Sequence, residues 1–94
     1  MEIFANVVGT HFRGRDAKFA VNALLVGDEI RLEAEPHNEY DPHAVACWFG
    51  DTHIGYLSRH NNTEISRALI DTGIHMTGTV ATRDGNQPVL LVRL

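Results

Sequence analysis

A single cysteine, Cys47, leaves this 94-residue chain without an internal disulfide and without the paired thiolates of a zinc knuckle. Set in the apolar run Ala44-Val45-Ala46-Cys47-Trp48-Phe49, it reads as a small buried hydrophobe. No apolar stretch approaches the ~20 residues that a membrane-spanning helix needs. The opening Met1-Glu2-Ile3-Phe4 has no basic leader, so a soluble cytoplasmic protein with no membrane partner is expected. Positive charge is scarce: 8 Lys and Arg against 12 Asp and Glu give a net charge of −4 with histidine neutral. That balance opposes wholesale attraction to phosphate backbones, although Arg13, Arg15 and Lys18 fall together and Arg59 adjoins His60. There is no glycine-rich phosphate loop, Ser58 and Ser66 lack a nucleophile-elbow context, and Glu39 and Asp41 have no partner base. Neither catalysis nor a cofactor is expected. The 6 histidines match no ligand spacing, with His37 and His43 merely flanking Asp41, and no metal site is expected.

What is present suits one domain over residues 1–94, a length that can bury its own core. Residues 3–8 are apolar and β-branched and end at Gly9, as a first strand would. Residues 17–26 are apolar without a clean period, open to a short helix or an irregular crossing segment. Residues 29–35 alternate Ile30, Leu32 and Ala34 against Glu29, Arg31, Glu33 and Glu35, the pattern of a half-buried strand. Residues 44–49 are apolar on both faces, which predicts a central strand covered on two sides or a barrel wall. Gly50-Asp51-Thr52 turns the chain into a hairpin partner at 53–57, where Gly55 marks a bulge or a close approach of another backbone.

Asn61 or Asn62 can cap a helix, with Glu64 at capping-box distance from Asn61, an apolar stripe of Ile65, Ala68 and Leu69, and Gly73 as its stop. Residues 74–82 and 89–94 are strand-like around the hairpin signal Asp84-Gly85. The sum is a mainly β (α+β) fold: a small, OB-like, partly open β-barrel of about six strands with one clear helix and a second short one. Phe4, Phe19, Trp48 and Phe49 are expected in its core.

The segment Glu35-Pro36-His37-Asn38-Glu39-Tyr40-Asp41-Pro42-His43-Ala44-Val45 concentrates polar and aromatic groups between two prolines that stiffen its ends. Asp41 can accept hydrogen bonds, Asn38 can donate and accept, and Tyr40 offers a ring face and a hydroxyl. Aromatic and polar residues recur as neighbours in Phe12-Arg13, in Tyr40-Asp41, and in Tyr56 with Arg59. Stacking of a base on such a ring is worth ~1 to 3 kcal/mol, enough for two or three rings to offset an unfavourable net charge.

These motifs, with Val8-Gly9 followed shortly by Phe12, then Gly27-Asp28-Glu29-Ile30-Arg31-Leu32 and Ile54-Gly55-Tyr56-Leu57, resemble the HIRAN domain, found in DNA-repair helicases and as a stand-alone bacterial protein. The resemblance covers most of the chain. It implies an OB-like barrel whose pocket grips the 3′-hydroxyl end of single-stranded DNA. Asp41 would accept a hydrogen bond from the terminal hydroxyl, Asn38 would order the loop or contact the end, and Tyr40 and Phe12 would stack on the last bases. Arg13 and Arg59, with His11 and His60, would meet the adjoining phosphates, and a helicase or nuclease is the implied protein partner.

Three departures stand out. Asn38-Glu39-Tyr40-Asp41 replaces the usual Asn-Pro-Tyr-Asp, His11 stands where DNA-binding members carry a fixed cation, and Phe12 lacks a tyrosine hydroxyl. Histidine charges only near or below its reference pKa of about 6.5, so binding is expected to strengthen as the pH falls toward that range. A protein-interaction adaptor that adds the strand 89–94 to a partner's sheet is the alternative. A zinc-binding or nuclease-associated accessory is a third.

Overall fold

Period-two patterning builds the wall of the molecule, which the computed structural model describes over residues 1–73 and 75–94. In β1 (Glu2–Val8) Ala5 and Val7 are buried while their neighbours face outward. A 3-10 turn (Thr10–Phe12) leads into α1 (Arg15–Ala23), which is followed by β2 (Glu29–Ala34), β3 (Val45–Phe49), β4 (Thr52–Leu57), α2 (Asn62–Thr72), β5 (Met76–Asp84) and β6 (Gln87–Arg93). Every pairing is antiparallel, and the strands form a closed barrel in the order β1-β4-β3-β2-β5-β6, with β6 returning to β1.

The ring is thus closed where a partly open one was expected, but its seam is narrow. β1 and β4 share only the pairs Val7 with Leu57 and Val8 with Tyr56. At that seam Gly55, with φ +148°, brings its Cα so near β1 that an added Cβ would lie 2.5 Å from the Val8 carbonyl oxygen. The bulge or close approach expected at Gly55 is both, since the β3–β4 register also shifts there, Cys47 pairing with Gly55 and Trp48 with His53. β6 has a hydrogen-bonded neighbour on each side, so the edge that a strand-adding adaptor would need on 89–94 is already occupied.

The barrel interior holds Val7, Ile30, Leu32, Val45, Ile54 and Leu90, to which α1 adds Val21, its C-cap adds Leu24, and α2 adds Ile65 and Leu69. Each such side chain contributes roughly 1.5–3 kcal/mol through burial, so Ile65→Ala at the α2 contact would cost about 2–5 kcal/mol. The segment left open at 17–26 is helical through Ala23, with Ala17 and Val21 one turn apart on its inner face. Arg83 of β5 completes the end of that helix: its guanidinium donates to the carbonyls of Val21 and Leu24 at 2.6 and 2.9 Å, the first shared with the Leu24 N–H at 3.3 Å and the second lying just past the last helical turn.

Two aromatic expectations fail. Phe4 is 58% exposed and Phe19 76% exposed, because the inward positions of their elements belong to Ala5 and Val7 in β1 and to Ala17 and Val21 in α1. Trp48 and Phe49 are half-buried. Phe49 packs against the core, and the Trp48 ring stacks on His53 at 4.8 Å with the Arg31 guanidinium 5.3 Å from its centroid. Asn61 occupies the N-cap of α2 but makes no side-chain cap hydrogen bond, so the capping box with Glu64 is not formed. Gly73 does end the helix. The strand expected from residue 74 is β5, and Ile74 itself lies outside the described residues. Gly85, at φ +61°, opens the two-residue turn into β6. The two chain ends meet, with the Met1 ammonium donating to the Leu94 carbonyl at 3.1 Å and the Leu94 N–H to the Met1 carbonyl at 2.8 Å. No helix among the described residues is long and apolar enough to cross a membrane.

Candidate functional site

The loop between β2 and β3 is held by its own side chains. Asn38 accepts from the N–H groups of Tyr40 and Asp41 at 2.9 and 3.1 Å and donates through Nδ2 to Glu35 at 3.0 Å. Asx turns of this kind let a short side chain stand in for a backbone partner, which is why the sequence can fold locally here without a helix or strand. Asp41 repeats the device one step on, accepting from the His43 N–H at 2.8 Å through Oδ1. Its Oδ2 receives the Nδ2 of Asn62, the first residue of α2, at 2.8 Å. Arg59 closes the arrangement, donating to the Tyr40 carbonyl at 3.1 Å and standing 3.6 Å from Asp41 Oδ2.

These contacts shape a pocket of about 480 Å³. Its polar wall carries Arg13, Asn38, Tyr40, Asp41, Tyr56 and Arg59, six of the nine residues singled out in the sequence. Val8, Ala44 and Leu57 supply an apolar floor, the buried Asn62 also lines the pocket, and Glu39 stands on the rim. Burial pushes the Asp41 carboxyl upward, but the His43 N–H, the Asn62 amide and the Arg59 and His43 charges outweigh it and hold the group below its ordinary value of 3.8. Asp41 is therefore ionised at neutral pH, with its side chain 17% exposed. Tyr40 turns its ring outward, 79% exposed, directly after the Asx turn that fixes its backbone. Arg13 makes no side-chain hydrogen bond or ion pair among the described residues, so its charge is free for a ligand.

Tyr56 donates its hydroxyl to Glu35 at 3.0 Å, and burial followed by that hydrogen bond and the Glu35 charge raises its pKa against the opposing charge of Arg13. It stays a neutral donor whose ring, not its hydroxyl, is the part left for contact. Beside it His53 shares a hydrogen bond with the Gly55 carbonyl at 3.0 Å and meets the Tyr56 ring edge-on at 4.9 Å. Burial, then the nearby Arg13 charge, lowers the His53 pKa, so this histidine is neutral at pH 7.

Three expected residues lie elsewhere. His11 faces a neighbouring depression, His60 lines a third one with Ile3, Asn61 and Glu64, and Phe12 stands outside the pocket wall with its ring 3.9 Å from that of His11. The tight turn in which Asn61 N–H bonds to the Ser58 carbonyl sends Arg59 and His60 to different walls. The sequence reading missed Asn62 and Glu35. Asn62 had the signature of a helix cap and Glu35 that of an outward strand residue, and both serve partners 21 positions away.

A family model described as the HIRAN domain matches residues 1–92. The chain belongs to the HIRAN domain family. HIRAN domains are binding modules, generally for nucleic acid. Among solved structures, this one is similar to a crystallised protein from Lactobacillus plantarum, at 26% identity and a TM-score of 0.80, over 98% of this chain and 93% of that one. It also resembles the HIRAN domain of human HLTF, at 18% identity and a TM-score of 0.62, over 97% of this chain and 74% of the other, which establishes a shared fold. No curated protein sequence matches it. The six-stranded barrel with two helices among the described residues is the small OB-like HIRAN architecture.

Proposed function

We propose that this HIRAN domain binds the 3′-hydroxyl end of single-stranded DNA and acts without turnover of its own, beside a helicase or nuclease in DNA repair or processing. The observation that carries the reading is the ionised, largely shielded Asp41 carboxylate set between the exposed Tyr40 ring and the guanidinium groups of Arg13 and Arg59. Each carboxylate oxygen can accept more than one hydrogen bond, and Asp41 commits one site on each oxygen to His43 and Asn62. A sugar hydroxyl can donate to what remains, whereas a terminal phosphate would meet a like charge. Tyr40 then stacks on the last base, with the Tyr56 ring beside it, while Arg13 and Arg59 meet the adjoining phosphates on its 5′ side.

The test is a fluorescence-anisotropy titration with short oligonucleotides ending in a 3′-hydroxyl, a 3′-phosphate or a duplex blunt end. Tighter binding of the single-stranded hydroxyl end is expected. Equal affinity for all three, or no binding at all, overturns the reading.

A further inference from the structure

A second depression, of about 510 Å³, has Val8 in its wall, the residue that also lines the Asp41 pocket. Its polar lining consists of Thr10, whose hydroxyl is committed to the Ile54 carbonyl, with His11, Lys18, Asn22, Asn86 and Gln87, and no carboxylate is among the residues that line it. Lys18 and Asn22 are four apart in α1 and therefore share a helical face. Both are exposed, and the Lys18 ammonium has no hydrogen-bond or ion-pair partner among the described residues. Gln87 is oriented from behind, since its Oε1 accepts from Asn6 Nδ2 at 3.0 Å, leaving its amide N–H groups for a ligand. The Asp84 carboxylate is engaged by the same Asn6 nitrogen at 3.1 Å.

The two depressions differ in one respect: only the first contains carboxylates. One sets the acceptor Asp41, with Glu39 on its rim, between the guanidinium groups of Arg13 and Arg59, and the other presents the Lys18 ammonium with polar neutral groups and no carboxylate. Consecutive parts of one strand match that order: a free hydroxyl and base for the first, a phosphodiester for the second. We infer that the depression lined by Lys18, Asn22 and Gln87 is a second subsite, which seats the sugar-phosphate backbone of the nucleotides preceding the strand's 3′ end. The inference rests on the 3′-end reading given above. It makes affinity depend on strand length beyond the terminal nucleotides, as a groove that tracks a backbone does.

Anisotropy titrations with 5′-labelled thymidine dinucleotide and hexanucleotide, both ending in a 3′-hydroxyl, test it on the wild-type protein and on Lys18→Gln and Asn22→Ala. Lys18 is exposed and glutamine is as good a helix former, so folding is preserved. The expected result is a loss of about tenfold in hexanucleotide affinity for Lys18→Gln, with dinucleotide affinity unchanged. The slope of log affinity against log salt should also become shallower by about 0.7 for the hexanucleotide. Variants that bind the hexanucleotide as the wild type does, or that lose both ligands equally, overturn the second subsite. If the wild type fails to prefer hydroxyl over phosphate ends, the 3′-end reading falls and this inference falls with it. An intact preference with a silent Lys18→Gln overturns this inference alone.

Discussion

Asn62 Nδ2 lies 2.8 Å from Asp41 Oδ2, so the first residue of α2 holds the acid of the pocket in place. Asp41→Asn then does more than remove a charge. Its new amide must face a donor, either the His43 N–H or the Asn62 Nδ2, and one hydrogen bond is lost at a cost of about 1–3 kcal/mol. Exchanging the pair, Asp41→Asn with Asn62→Asp, lets the amide at 41 donate to the carboxylate at 62. Thermal or denaturant melts should show most of the lost stability restored in the double variant, while preference for 3′-hydroxyl ends stays lost. Recovery of that preference would mean that the position of the charge does not matter.

Tyr40 should separate binding from folding. Its ring touches little of the protein, so Tyr40→Ala is expected to change stability by no more than about 0.5 kcal/mol. The same substitution should weaken oligonucleotide binding by ~1 to 3 kcal/mol, the worth of one stacked base. A calorimetric melt paired with an anisotropy titration checks both halves, and unchanged affinity would remove Tyr40 from the interface.

Acid should lower the stability of the domain over two pH ranges. His53 has a lowered folded-state pKa, so above its ordinary value of 6.5 both states are neutral and its contribution is complete. Below 6.5 the unfolded chain takes up the proton first, and stability falls until the folded value is passed. Asp41, also lowered, contributes fully above its ordinary value of 3.8 and loses that contribution as the pH drops further through the folded value. Melting temperatures measured across this range should decline twice. His53→Gln should flatten the upper decline, and a variant that still shows it unchanged would assign that step to another group.

The seam between β1 and β4 predicts a contrast between glycines. Gly55→Ala forces a methyl group to within 2.5 Å of the Val8 carbonyl at φ +148°, a clash with backbone that cannot move without opening the ring. Gly50 has open space around it, so Gly50→Ala pays only the conformational penalty of about 1 kcal/mol. Denaturant titration should find Gly55→Ala several times more damaging, and similar losses in the two variants would show that the seam yields easily.

Local patterns in the sequence were read correctly where local physics decided the outcome. The alternation through Ile30 and Leu32 became β2, the Asp84-Gly85 signal became a hairpin, and the proline-bounded segment became a self-bonded loop. Phe4 and Phe19 lie outside because hydrophobicity alone does not say which face of an element turns inward, and those positions belong to Ala5 and Val7 in β1 and to Ala17 and Val21 in α1. Of the pocket, Tyr40, Asp41 and Asn38 were legible as one loop. Asn62 was not, since its bond to Asp41 spans 21 positions and competes with a capping role that its type equally suggests.

Because Met1 and Leu94 exchange hydrogen bonds, a longer polypeptide carrying this domain would enter and leave it through a single doorway. Such an insertion separates the flanking host segments by little more than the ~5 Å between adjacent strands. The barrel can therefore ride on a surface loop of a larger enzyme without prying that enzyme apart.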